Sequence, residues 1–138
     1  MATCLISHHL NAQTQAHFFG ARTATYDRPI QVSHGVYKGY YVNSQLRERG
    51  TIILSIKNRT FSLKLLDGTK ITYNISKTET ENGSHLYYGR ISNGAEALLI
   101  VSSDCHITMK FERFSDEEYG IHNYWRRIYD FNSQGCLN

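Results

Sequence analysis

The sequence predicts an all-β domain: an antiparallel meander of about eight strands, closed as an up-and-down barrel or half-barrel, with a two-sheet β-sandwich as the alternative. Three observations carry this reading. Ten Tyr, six Phe and one Trp stand beside abundant Ser and Thr, a composition suited to a pleated, half-buried surface. Three triplets ending in Gly (Leu66-Asp67-Gly68, Glu81-Asn82-Gly83, Ser92-Asn93-Gly94) separate short alternating runs. Each suits a three-residue hairpin loop with its Gly in the left-handed region. Pairing the runs through such loops also keeps one apolar face continuous, because directly opposed residues share a face.

The elements follow in order. Residues 1–16 lack periodicity and read as a flexible tail before a single domain over 17–138. Val36 to Val42 is a Tyr-rich strand with Gly39 at a bend or close backbone approach. Next, a short loop around Asn58-Arg59 sets Ile56 against Phe61 and Leu54 against Leu63. The Asp67-Gly68 loop sets Leu63 against Ile71 and Phe61 against Tyr73. The Asn82-Gly83 loop, treated alike, sets Tyr73 against Ile91 and Lys77 against Tyr87. The last triplet sets Tyr87 against Leu99 and brings Arg90 opposite Glu96, an ion pair that played no part in choosing the register. Cys105, Ile107, Met109 and Phe111 continue the face. A short helix starts near Ser115 and stops at Gly120, and Asn123 to Phe131 forms the last strand. The resulting face comprises Ile52, Leu54, Ile56, Phe61, Leu63, Leu65, Ile71, Tyr73, Ile75, Tyr87, Ile91, Leu99, Val101, Ile107, Met109 and Phe111.

This architecture resembles that of the lipocalin, avidin and fatty-acid-binding barrels. Gly35-Val36-Tyr37 and Arg127 fall where those families carry a Gly-x-aromatic and a packed Arg. The likeness is one of architecture.

Composition narrows the function. The 138 residues are 41% hydrophobic and 20% charged, as in a globular chain, and no apolar run approaches the ~20 residues of a membrane helix. A net charge of +3, spread along the chain, argues against a dedicated nucleic-acid binder. The first ten residues lack the charge and apolar run of a signal peptide, and sequons at Asn58, Asn74 and Asn82 are weak indicators, so localisation stays open. Cys4, Cys105 and Cys136 are too few for a disulfide framework, and whether Cys4 pairs with Cys136 is undecided.

Catalytic signatures are absent from the sequence. His106-Ile107-Thr108 matches half of a paired His-x-Thr motif, but no other His supplies the second half, and both side chains fall on the solvent face. Neither metal-ligand spacing nor a nucleophile elbow nor a phosphate loop occurs. No catalytic residue, metal or cofactor is therefore expected. A barrel of eight strands can hold one small ligand or be filled by its side chains, and both outcomes stay open. If hollow, Tyr73, Tyr87 and Met109 line the pouch, while Lys77, Glu79 and His85 ring its mouth. The expected function is a non-enzymatic module binding a small apolar or amphipathic ligand. The alternative is an interaction domain using the outer strip Leu86, Tyr88, Leu98 and Ile100, which also suits a homodimer, or the aromatic-basic cluster of Tyr124 and Arg126. Tyr40, Tyr41 and Lys38 would extend that cluster.

Overall fold

Period-two alternation puts nearly the whole chain into strand, and the computed structural model describes residues 14–104 and 106–132. Cys4, His8, His9, Cys105 and Cys136 lie outside the described residues. The strands in chain order are β1 (Thr14–Phe18), β2 (Ala21–Ser33), β3 (Val36–Leu46), β4 (Gly50–Ser55), β5 (Thr60–Leu65), β6 (Lys70–Glu81), β7 (Ser84–Arg90), β8 (Glu96–Val101), β9 (His106–Asp116) and β10 (Ile121–Asn132). The short helix expected before Gly120 is a single 3₁₀ turn, Glu117–Tyr119. No helix among the described residues is long and apolar enough to cross a membrane.

Among the described residues the ten strands join one antiparallel sheet in the order β1-β4-β5-β6-β7-β8-β9-β10-β2-β3, and no two-sheet sandwich is formed. From β4 to β10 each strand pairs with the next, as a meander requires. The sheet curls into a half-barrel, and β1 runs on through Phe19-Gly20 into β2, next to last at the other end of the order. Across that junction the rings of Phe18 and Phe131 pack with centroids 4.3 Å apart. The concave face is the core the alternation predicts: Ile52, Leu54, Phe61, Leu99, Val101, Ile107, Met109 and Phe111 are each exposed by 2% or less, and Phe18, outside the predicted face, joins them at 1%.

Two of the three Gly loops form as expected. Leu63 faces Ile71 and Phe61 faces Tyr73, Tyr87 faces Leu99, and Gly68 and Gly94 take φ of 95° and 91°. The Arg90 guanidinium lies 2.6 Å from the Glu96 carboxylate.

Other expectations change. Thr14, Gln15 and Ala16, assigned to the tail, belong to β1, where Ala16 is buried. Strand β2, absent from the sequence reading, carries two register shifts, between Tyr26 and Arg28 and between Gln31 and Ser33, and these erase its alternation. Its Pro29 is tolerated because β10 pairs with β2 only from Arg22 to Thr25, leaving a free edge further along. The β4–β5 register is displaced by two residues, with Leu54 opposite Phe61 and Ile52 opposite Leu63. The cause is a four-residue turn over 56–59, in which the Arg59 amide donates to the Ile56 carbonyl at 3.2 Å and the Asn58 amide donates to Ser55 Oγ at 3.3 Å. A shift of two preserves the faces but expels Ile56, which is 60% exposed. Gly35, finally, sits in the β2–β3 turn at φ 71° instead of within a first barrel strand.

Candidate functional site

The site depends on how β6 meets β7. Asn82 and Gly83 adopt φ of 50° and 81°, and Glu81 pairs directly with Ser84, so the connection is a two-residue turn. Two consecutive positive φ angles match the right-handed twist of the strands, and Asn-Gly is the pair best able to adopt them. The expected three-residue loop is thereby corrected. The one-residue mismatch is absorbed between Ile75 and Lys77, a β-bulge at Ser76, whose hydroxyl donates to the Tyr88 carbonyl at 3.3 Å.

The bulge exchanges the faces of everything beyond it. Thr78 lies opposite Tyr87 and Thr80 opposite His85, whereas Lys77 lies opposite Tyr88 and Glu79 opposite Leu86. Since Tyr87 shares the concave face with Leu99, the hydroxyls of Thr78 and Thr80 join it there. Lys77 and Glu79 move to the convex face. Of the three residues expected to ring the mouth, only His85 remains on the concave side.

Between this hairpin and the 56–59 turn lies an open pocket of about 440 Å³, lined by Ile56, Arg59, Ile75, Thr78, Glu79, Thr80, His85 and Tyr87. Ile75 and Tyr87 form its apolar floor, and the His85 ring stands 6.5 Å from the Tyr87 ring. Burial pushes the Tyr87 phenol above its ordinary value, so it stays a neutral donor. Arg59 adopts φ 54° and its carbonyl accepts the Ile75 amide at 2.8 Å, which ties the turn to the pocket floor. Glu79 stands at the lip with its charge engaged: Lys77 Nζ is 2.8 Å away, and that hydrogen bond holds the carboxyl below its usual range.

The interior is filled. Met109 is 0% and Tyr73 4% exposed, and Tyr73 packs on Phe61 at 5.3 Å and Phe111 at 6.4 Å. Gly89 leaves no void: a Cβ there would lie 2.6 Å from Phe61 Cε1. Phe61 thus occupies the space beside Gly89, and of the pouch residues Tyr73, Tyr87 and Met109 only Tyr87 reaches the pocket.

The outer strip is largely covered. Leu86 and Leu98 are 8% and 6% exposed, with the Lys77 ammonium 4.8 Å above the Tyr88 ring; Ile100 lies opposite Leu86. In the aromatic-basic cluster, the Arg126 guanidinium sits 4.3 Å over Phe114. Tyr124 stacks parallel to Tyr41 at 6.4 Å, and the Tyr41 hydroxyl donates to the Trp125 carbonyl at 2.5 Å. Gly39 makes the room, since a Cβ there would collide with the Tyr124 and Tyr26 rings. Tyr40 and Lys38 alternate to the opposite face from Tyr41, so they do not extend the cluster. Arg127 does pack, 5.4 Å over Phe111, and bonds Glu112 at 3.1 Å.

Sequence reasoning missed one polar network. The Asp130 carboxylate accepts from Thr108 Oγ1 at 3.1 Å and Arg22 Nη2 at 3.2 Å and meets His106 Nε2. The period-two pattern puts His106, Thr108 and Asp130 on one face, but their pairing needs the β9–β10 register, Asp130 opposite Thr108. Ser102 adds no nucleophile to this His–Asp pair: its hydroxyl is turned toward the Asp104 carboxylate and the His106 carbonyl, not the ring. Comparison with family models, curated proteins and solved structures finds no match for this chain.

Proposed function

We propose that the protein is a non-enzymatic binding module whose small apolar or amphipathic ligand sits in the rim pocket between the 56–59 turn and the β6–β7 hairpin. The observation that carries this reading is the bulge at Ser76, which turns Thr78 and Thr80 inward beside Tyr87 and His85 over an apolar floor. A pocket of about 440 Å³ falls within the ~300–1,000 Å³ common for small-molecule sites. An apolar floor with a few convergent polar groups is the composition such sites share. The interaction-domain alternative has less support, because Tyr124, Arg126, Leu86 and Leu98 are engaged with their own neighbours.

Native mass spectrometry of the protein as purified from its host tests the proposal. A stoichiometric extra mass that vanishes on denaturation is expected, and Tyr87→Trp, which fills the floor, should abolish it while the protein stays folded. A bare mass in the wild type, or an adduct that survives Tyr87→Trp, would refute the rim pocket as its seat.

A further inference from the structure

Resting on the rim-pocket reading, we infer that the ligand is an amphipathic anion, a short aliphatic or aromatic tail ending in a carboxylate, whose head is bound by Arg59. The inventory of polar groups lining the pocket carries this inference. Arg59 offers five N–H donors and no acceptor, the hydroxyls of Thr78, Thr80 and Tyr87 can each donate, and the His85 imidazole carries at least one N–H. The one carboxylate present, Glu79, is paired with Lys77 at 2.8 Å and lies 3.5 Å from the Tyr88 hydroxyl on the convex side. Among the described residues Arg59 makes no ion pair with any carboxylate. The pocket therefore presents donors and an unneutralised cation around an apolar floor, and its complement carries acceptors and negative charge.

Two further features agree. Arg59 is held in a left-handed turn anchored at both its amide and its carbonyl, so the guanidinium projects from a fixed point. At about 30 Å³ per water-sized volume, 440 Å³ admits roughly fifteen such volumes, enough for a chain the length of decanoate.

Calorimetric titration with decanoate, decanol and decylamine tests this on wild type, Arg59→Asn and Arg59→Lys. Asn suits positive φ better than Arg does, so Arg59→Asn should fold. Wild type should bind decanoate most tightly and decylamine least. Arg59→Asn should weaken decanoate about tenfold or more, the scale of one charge-assisted hydrogen bond, and leave decanol unchanged, while Arg59→Lys retains most of the affinity. Equal binding of decanoate and decanol, unaffected by Arg59→Asn, would overturn the anion inference and leave the pocket reading intact. Preference for decylamine would overturn it too, and no binding of any of the three would overturn both.

Discussion

Gly89→Ala probes whether the barrel is full or hollow. The added Cβ would lie 2.6 and 2.7 Å from Phe61 Cε1 and Cζ and 2.8 Å from Tyr73 Cβ, whereas unstrained carbons sit ~3.5–4.0 Å apart. The ring must therefore retreat by roughly 1 Å. It has nowhere to go: Phe61 is fully buried and stacks on Tyr73, which packs in turn on Phe111. Overpacking of this kind costs about 1–3 kcal/mol. Lower chain entropy in the unfolded state returns about 0.4–1 kcal/mol, since Gly89 lies in ordinary strand that Ala adopts freely. The net loss is about 1–2 kcal/mol, or a fall in Tm of roughly 3–8 °C for a chain of this size. Thermal unfolding followed by circular dichroism measures it. In a Phe61→Leu background the two ring contacts are gone and only the Tyr73 Cβ contact remains, so the same substitution should cost less, a coupling of about 1 kcal/mol. A Gly89→Ala protein that melts at or above the wild-type temperature would refute the argument, because only empty space beside Phe61 could absorb the methyl.

Further outcomes follow from the same structure. Gly68→Val should destabilise by about 1–3 kcal/mol in urea unfolding through backbone strain alone, since φ is 95° and nothing lies within 4 Å of the new Cβ; Gly68→Asn should recover most of this. Met109→Trp, forced into the packed core, should lower Tm sharply, whereas Tyr87→Trp at the pocket floor should not. Asp130→Ala should cost about 1–2 kcal/mol at unchanged urea m-value, chiefly through His106 and Thr108, since the Arg22 side chain is 75% exposed. In acid, Asp67 (held down by the Thr69 amide), Asp104 (by the Ser102 hydroxyl) and Glu79 (by Lys77) all titrate below their ordinary values. Their stabilisation is complete above the unfolded carboxylate range and lost as pH falls through the lower folded values. Burial raises the phenols of Tyr73 and Tyr87, so the alkaline loss begins as unfolded Tyr ionises. Tm should be level between about pH 5 and 9 and fall below about pH 4 and above about pH 10; a steady decline from pH 7 to 5 would contradict these assignments.

Much of the barrel wall was legible because period-two alternation survives wherever both faces differ in polarity, as from Phe61 to Tyr73 and from Tyr87 to Phe111. The loops at Gly68 and Gly94 were legible for a related reason: only one register keeps the apolar residues together. The Asn82-Gly83 turn defeated the same logic. A three-residue loop and a two-residue turn with a bulge at Ser76 give the same pairing near Ile75, and they differ only beyond it, where Lys77, Thr78, Glu79 and Thr80 are all polar and no hydrophobic pattern discriminates. That ambiguity decided the site, for it exchanged Lys77 and Glu79 for Thr78 and Thr80. Arg59 and Ile56 were hidden because their roles arise from a turn whose length the alternation leaves free. Strand β2 was hidden by its bulges and Pro29. The contents of the barrel were not legible at all, since a small residue such as Gly89 marks space without saying whether Phe61 or a ligand fills it.

The most direct test of a full interior with its site at the rim is methyl NMR on Ile- and Met-labelled protein titrated with decanoate. The δ1 methyls of Ile56 and Ile75 should shift in a saturable, concentration-dependent manner while the Met109 methyl, sealed in the core, stays in place. A shift at Met109 with Ile56 unmoved would contradict the account, because the ligand would then lie where the structure packs Phe61, Tyr73 and Phe111.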